Sequence, residues 1–192
     1  WKTPLEAWGP WSMGRRFVLD AAADAENTLG HRRFTHELSC LNHPWIGDAG
    51  VHESPVRPVM AGDLVWFNPP WGRRTGSYPG TGAFVERARK QAREHGIRIL
   101  CLVEAKTDTA WWRDEIAGAS WVVFLGRLHF IPPGSIVPSA QPNQGHALAV
   151  YLGDFTGETR YRYWLPYTEP VPGDLLESVR QSRITLQDRK NP

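Results

Sequence analysis

Apolar residues gather into short runs separated by polar or Pro/Gly-rich stretches, and the spacing inside each run predicts an element. Phe17-Val18-Leu19-Asp20-Ala21-Ala22 is an apolar run with a carboxylate towards its end, the pattern of a strand covered on both faces. His31-Arg32-Arg33-Phe34-Thr35 has poorer periodicity and predicts a short second strand. Residues 42–62 hold Pro44, Pro55 and Pro58 among Gly, His and Asp, and predict a loop wrapping the surface. Leu64-Val65-Trp66-Phe67 predicts another buried strand, which Asn68-Pro69-Pro70 ends because two prolines remove ladder donors. Residues 72–82, with four glycines, Pro79 and two arginines, predict a mobile loop.

From Thr81 to His95, Phe84, Val85, Ala88 and Ala92 form a stripe at helical spacing, and Gly96 stands where a C-terminal cap belongs. Residues 97–103 predict a strand and Thr109 to Ala117 a short helix. Trp121–Leu125 and Ala147–Leu152 predict two more strands, joined by a Pro-, Gly- and Ser-rich connection through 132–146. Strand–helix alternation followed by hairpin-like pairing predicts a single α/β domain with a mostly parallel sheet and an antiparallel edge. Signals fade after Gly153. Residues 1–153 are therefore expected to form the domain. Residues 154–192 would be an extension packed on it or trailing from it, with one helix from Asp174 to Arg183 and a fraying charged tail.

With 192 residues the chain has room for one well-filled core, and 41% hydrophobic and 22% charged residues exclude the disordered regime. Ten tryptophans are the unusual feature, and most should serve packing. A net charge of +2 permits a nucleic-acid partner without requiring one, so the placement of the arginines must decide. Cys40 and Cys101 lack metal-ligand spacing and read as reduced thiols; His36, His43 and His52 likewise form no ligand set, so no metal is expected. No apolar run approaches the roughly 18 residues of a membrane span. The opening Trp-Lys-Thr-Pro is no signal peptide, and an intracellular, soluble protein is expected. Because the chain opens on Trp1 rather than Met, a short preceding piece is expected too.

Ligands of open α/β sheets bind at the carboxyl ends of strands, where Asp20 and Asn68 are both placed. Asn68-Pro69-Pro70-Trp71 has a chemistry attached. An exocyclic amine on a base is nearly planar and weakly nucleophilic, so its hydrogens must be accepted by a carboxamide oxygen and a backbone carbonyl while an aromatic ring stacks on the base. Asn68, Pro69 and Trp71 supply these groups, and Pro70 stiffens the backbone. The competing reading is a proline-punctuated strand end. Arg73 and Arg74 are candidate phosphate contacts or solvated charge. Asp108 is a ligand contact or a helix N-cap. Trp111 and Trp112 diverge by about 100 degrees on a helix, so one at most faces a crevice. Arg87, Arg89, Lys90 and Arg93 read as solubility.

Six blocks in order resemble the phage-type DNA N-6-adenine methyltransferases: Trp1-x-Thr3-Pro4, Phe17-x-Leu19-Asp20-Ala21-Ala22, Val65 to Gly72, Thr107-Asp108-Thr109-x-Trp111-Trp112, Gly126-Arg127-Leu128-x-Phe130 and Pro142-Asn143-x-Gly145. The resemblance implies a class I, Rossmann-like fold, S-adenosylmethionine as donor and a flipped adenine of double-stranded DNA as acceptor. It implies that Trp1, Thr3, Pro4, Asp20, Ala21, Ala22 and Asn68 bind the cofactor, and that Asn68 to Trp71 form the catalytic loop. Thr107, Asp108, Trp112, Arg127 and Asn143 join Arg73 and Arg74 as the expected DNA-side residues. Two features depart from the pattern. The run from Asp20 to Asp24 has no glycine, and the ring after the prolines is Trp where Tyr is commoner. Alternatives are a methyltransferase acting on a protein glutamine amide and a degenerate DNA-binding module of the same fold.

Overall fold

The computed structural model describes residues 2–24, 27–53, 55–139, 144–153 and 155–181. Its strands are β1 (Phe17–Asp20), β2 (Gly30–Arg33), β3 (Leu64–Phe67), β4 (Arg98–Glu104), β5 (Trp121–Gly126), β6 (His146–Tyr151) and β7 (Arg160–Tyr163). Its helices are α1 (Leu5–Ser12), α2 (Thr81–His95), α3 (Ala110–Glu115), which tightens into a 3-10 turn at Ile116–Gly118, and α4 (Gly173–Gln181). The strands make one sheet in the order β2-β1-β3-β4-β6-β5-β7. All neighbours are parallel except those of β6, which runs against both β4 and β5. The mostly parallel α/β sheet expected from the sequence is thus present.

The antiparallel strand, however, lies inside the sheet rather than at its edge. All six residues of β6 are buried, so the strand needs a neighbour on each side and a layer on each face. β5 and β7 supply the outer neighbours.

Successive strand residues point to opposite faces, and the sheet divides its apolar residues accordingly. Val65, Phe67, Ile99, Cys101 and Val103 meet Phe84, Val85, Ala88 and Ala92 of α2 on one face. Leu64, Trp66, Leu100 and Leu102 meet Ala7 and Trp11 of α1 and Leu175 and Val179 of α4 on the other. The buried Arg98 guanidinium donates to Gly62 O and Val179 O, tying α4 to the start of β4.

α2 runs over the predicted residues, and Gly96, at φ 65, donates to Ala92 O as its cap. α1 and β7 escaped the sequence reading. Gly9 and Pro10 mask the helical pattern of α1, which is held by burying Ala7 and Trp11. β7 reads Arg-Tyr-Arg-Tyr with every residue exposed, and it exists because β5 pairs with it from Trp121↔Arg160 to Phe124↔Tyr163. Of the segment 72–82, expected to be a mobile loop, the last two residues begin α2, and the rest contains a small turn in which Thr75 and Tyr78 exchange backbone hydrogen bonds. Of the expected helix from Asp174 to Arg183, the part through Gln181 is present; the expected charged tail lies outside the described residues.

Candidate active site

β1, β3 and β4 run parallel, so their carboxyl ends share one edge of the sheet. β6 runs the other way and brings its first residue, His146, to that edge opposite Glu104. A cavity of about 770 Å³ opens there, lined by Ala21–Ala23 after β1, Asn68–Trp71 after β3, Glu104, Phe130 and His146. This volume is in the range of small-molecule sites.

Asn68 follows a strand buried at every residue. Its Nδ2 donates to Thr3 Oγ1 at 3.2 Å. Its Oδ1 is buried and lacks a hydrogen-bond partner among the described residues. An unpaired buried acceptor costs about 1–3 kcal/mol, which a bound donor would recover. The next residues are fixed from outside the motif. Tyr78 Oη donates to Pro70 O at 2.7 Å, and Thr81 Oγ1 accepts from Gly72 N at 2.9 Å, so the start of α2 clamps the loop. Trp71 is half-buried, with its ring centroid 5.1 Å from both Phe130 and His146 and its Nε1 donating to Leu102 O at 3.4 Å.

Asp20 stands behind the cavity. Its carboxylate accepts from Leu29 N at 2.9 Å and Ala22 N at 3.3 Å and so closes the turn after β1. Burial raises its pKa from 3.8 to about 6 against the pull of these two donors, with Asp24 adding repulsion. His146 Nδ1 accepts from Leu128 N at 3.1 Å, and burial holds the imidazole below its usual pKa. Cys40 also lines the cavity, but burial pushes its thiol up to about 12, so no thiolate nucleophile is on offer. Among the described residues no cluster of His, Cys, Asp and Glu is set to hold a metal. No described helix is long and apolar enough to cross a membrane.

Against this geometry, the sequence profile of the DNA N-6-adenine-methyltransferase (Dam) family matches residues 1–165. The chain belongs to this family. It is also 26% identical, over 205 aligned residues covering 97% of this chain and 74% of the relative, to a DNA N-6-adenine-methyltransferase of Escherichia phage T1. The chain is thus an adenine-specific DNA methyltransferase.

In this methyltransferase the expected site residues are not all brought together. Asn68, Pro69, Pro70, Trp71, Ala21 and Ala22 meet at the cavity, Thr3 reaches it through Asn68, and Pro4 is buried at the head of α1. Arg73, Arg74, Thr107, Asp108 and Arg127 are exposed and stand off the lining. Thr109, not Asp108, occupies the N-cap position of α3, and it makes no side-chain cap. Trp112 is buried and stacked on Phe124 at 6.1 Å, within the core. Trp1 and Asn143 lie outside the described residues.

Glu104, His146 and Phe130 line the cavity without having been singled out for it. Glu104 gave the same signal as Asp20, an acid ending an apolar strand. His146 could be found only once β6 was known to run antiparallel.

Proposed function

We propose that the cavity holds S-adenosylmethionine beside an adenine swung out of double-stranded DNA, and that Asn68-Pro69-Pro70-Trp71 performs the transfer to N6. The observation that supports this best is the buried Asn68 Oδ1, which has no partner among the described residues and belongs to a residue lining a cavity of suitable size. The donor supplies an electrophilic methyl group when bound. Its holders would be the turn Ala21–Ala23 organised by Asp20, together with Asn68 and the N-terminal Trp1, Thr3 and Pro4. The absent glycine-rich turn fits this arrangement, because the Asp20 carboxylate does the folding-back that glycines would otherwise permit.

Asn68 Oδ1 and the Pro69 carbonyl accept the two amine hydrogens, which turns the nitrogen lone pair out of conjugation with the ring. Trp71 stacks on the base and fixes its plane. Much of the rate gain comes from holding the two reactants in line, without a covalent enzyme intermediate. Arg73, Arg74 and Arg127, with Thr107, Asp108 and Asn143, are proposed to meet the DNA around the extruded base. Trp112 stays in the core and acts at most by shaping the wall. Residues 1–153 would form the catalytic domain, with 154–192 as a C-terminal extension of the same domain that adds β7 and α4 to it, acting in the cytoplasm of a bacterial or phage-infected cell.

The test is tritium transfer from labelled S-adenosylmethionine to unmethylated duplex DNA, wild type beside Asn68→Ala. Label in N6-methyladenine that vanishes in the variant supports the reading. Label that persists in Asn68→Ala overturns the assignment of the loop.

A further inference from the structure

When N6 bonds to the incoming methyl and the bond to the donor breaks, the nitrogen carries one positive charge and still holds two hydrogens. One proton must leave. A carboxamide such as Asn68 accepts hydrogen bonds but is too weak a base to take that proton. We infer that Glu104 is a catalytic residue that receives the N6 proton.

Glu104 ends β4, the strand next to β3, whose end carries Asn68. Glu104 lines the same cavity, its side chain is 20% exposed, and its carboxylate is ion-paired to Lys106 at 2.5 Å. Its charge is felt at Tyr78, which holds Pro70 O, and at His146, which packs on Trp71. Glu104 therefore stands among the groups that surround the catalytic loop.

The other titratable groups on the wall are worse placed. Asp24 is exposed, already accepts from Asn27 N at 2.6 Å, and follows β1 on the far side of β3. His36 is exposed and follows β2, two strands from β3. His146 Nδ1 is occupied by Leu128 N–H, and Cys40 is buried as a thiol.

In the step itself the N6–H bond breaks, its electron pair stays on nitrogen, and the proton moves to a carboxylate oxygen of Glu104. It is then released to water through the mouth of the cavity. Before that moment the same carboxylate stabilises the charge growing on nitrogen. A neutral Asn in the loop is thereby matched with an acid on the neighbouring strand.

The inference rests on the proposed role of Asn68, so the experiment separates the two. Single-turnover methyl transfer is measured for wild type, Glu104→Gln, Glu104→Asp and Asn68→Ala, with affinities for S-adenosylmethionine and duplex DNA measured alongside. Glu104→Gln should lose about a hundredfold in rate, the lower end for a positioned proton acceptor, with both affinities within about twofold of wild type. Glu104→Asp should recover part of the rate. Wild-type transfer by Glu104→Gln beside an inactive Asn68→Ala overturns the role of Glu104 alone, whereas an active Asn68→Ala overturns the loop assignment. A Glu104→Gln defect confined to either affinity assigns Glu104 to binding and also overturns the inference.

Discussion

Thr3 and Asn68, 65 residues apart in the chain, are joined by one hydrogen bond of 3.2 Å from Asn68 Nδ2 to Thr3 Oγ1. This bond decides which way the carboxamide faces. With its nitrogen committed to Thr3, its oxygen is the end left unpaired among the described residues. Thr3 is thus tied to the reactive group of a strand it does not adjoin in sequence.

Thr3→Val should free the carboxamide to turn. Losing one hydrogen bond costs about 1 kcal/mol of orientation, equivalent to a drop of roughly fivefold to tenfold in transfer rate. Thr3→Ser should restore most of it. Single-turnover kinetics decide the matter, and a Thr3→Val enzyme as fast as wild type removes the bond from the mechanism.

Trp71→Ala should weaken binding of duplex DNA whose target adenine is mispaired, because base–aromatic stacking contributes about 1–3 kcal/mol. Trp71→Phe keeps a ring and should bind within a few-fold of wild type. Equal affinities for all three proteins, measured by fluorescence anisotropy, would contradict stacking.

Tyr78→Phe removes the donor to Pro70 O and should cost about 1 kcal/mol locally. Amide exchange in residues 72–80 should accelerate while that of β3 and β4 stays slow. Unchanged exchange in the turn would show that Thr75 and Thr81 alone hold it.

Asp20 should leave a mark on stability against pH. Its folded pKa of about 6 is raised above 3.8, so the native state binds more protons than the unfolded chain between these values. The stability it contributes is therefore present at the acidic end and declines as pH rises through that window. A gap of this size corresponds to roughly 3 kcal/mol. Urea unfolding of wild type and Asp20→Asn from about pH 4 to pH 7 should show wild type losing ground to the variant by up to that amount. A constant difference would mean that Asp20 titrates normally.

The sequence by itself determined most of the strands and the helix Thr81–His95, because period and capping are local properties read from neighbouring residues. It also placed Asp20 and Asn68 at strand ends, since an apolar run that stops on a polar residue marks where a buried strand leaves the core. Tertiary structure decided what those ends do. Asp20 turned its carboxylate onto Leu29 and Ala22 instead of the cavity, and Asn68 found Thr3. Trp112 went to the core on Phe124 because adjacent helical residues must face different ways and only packing chooses between them. His146 reached the site through the reversed direction of β6, and β7 formed on a strand partner that no local pattern announces. Such contacts join residues far apart in the chain, and their energies depend on burial and pairing that exist only after the sheet has closed around them.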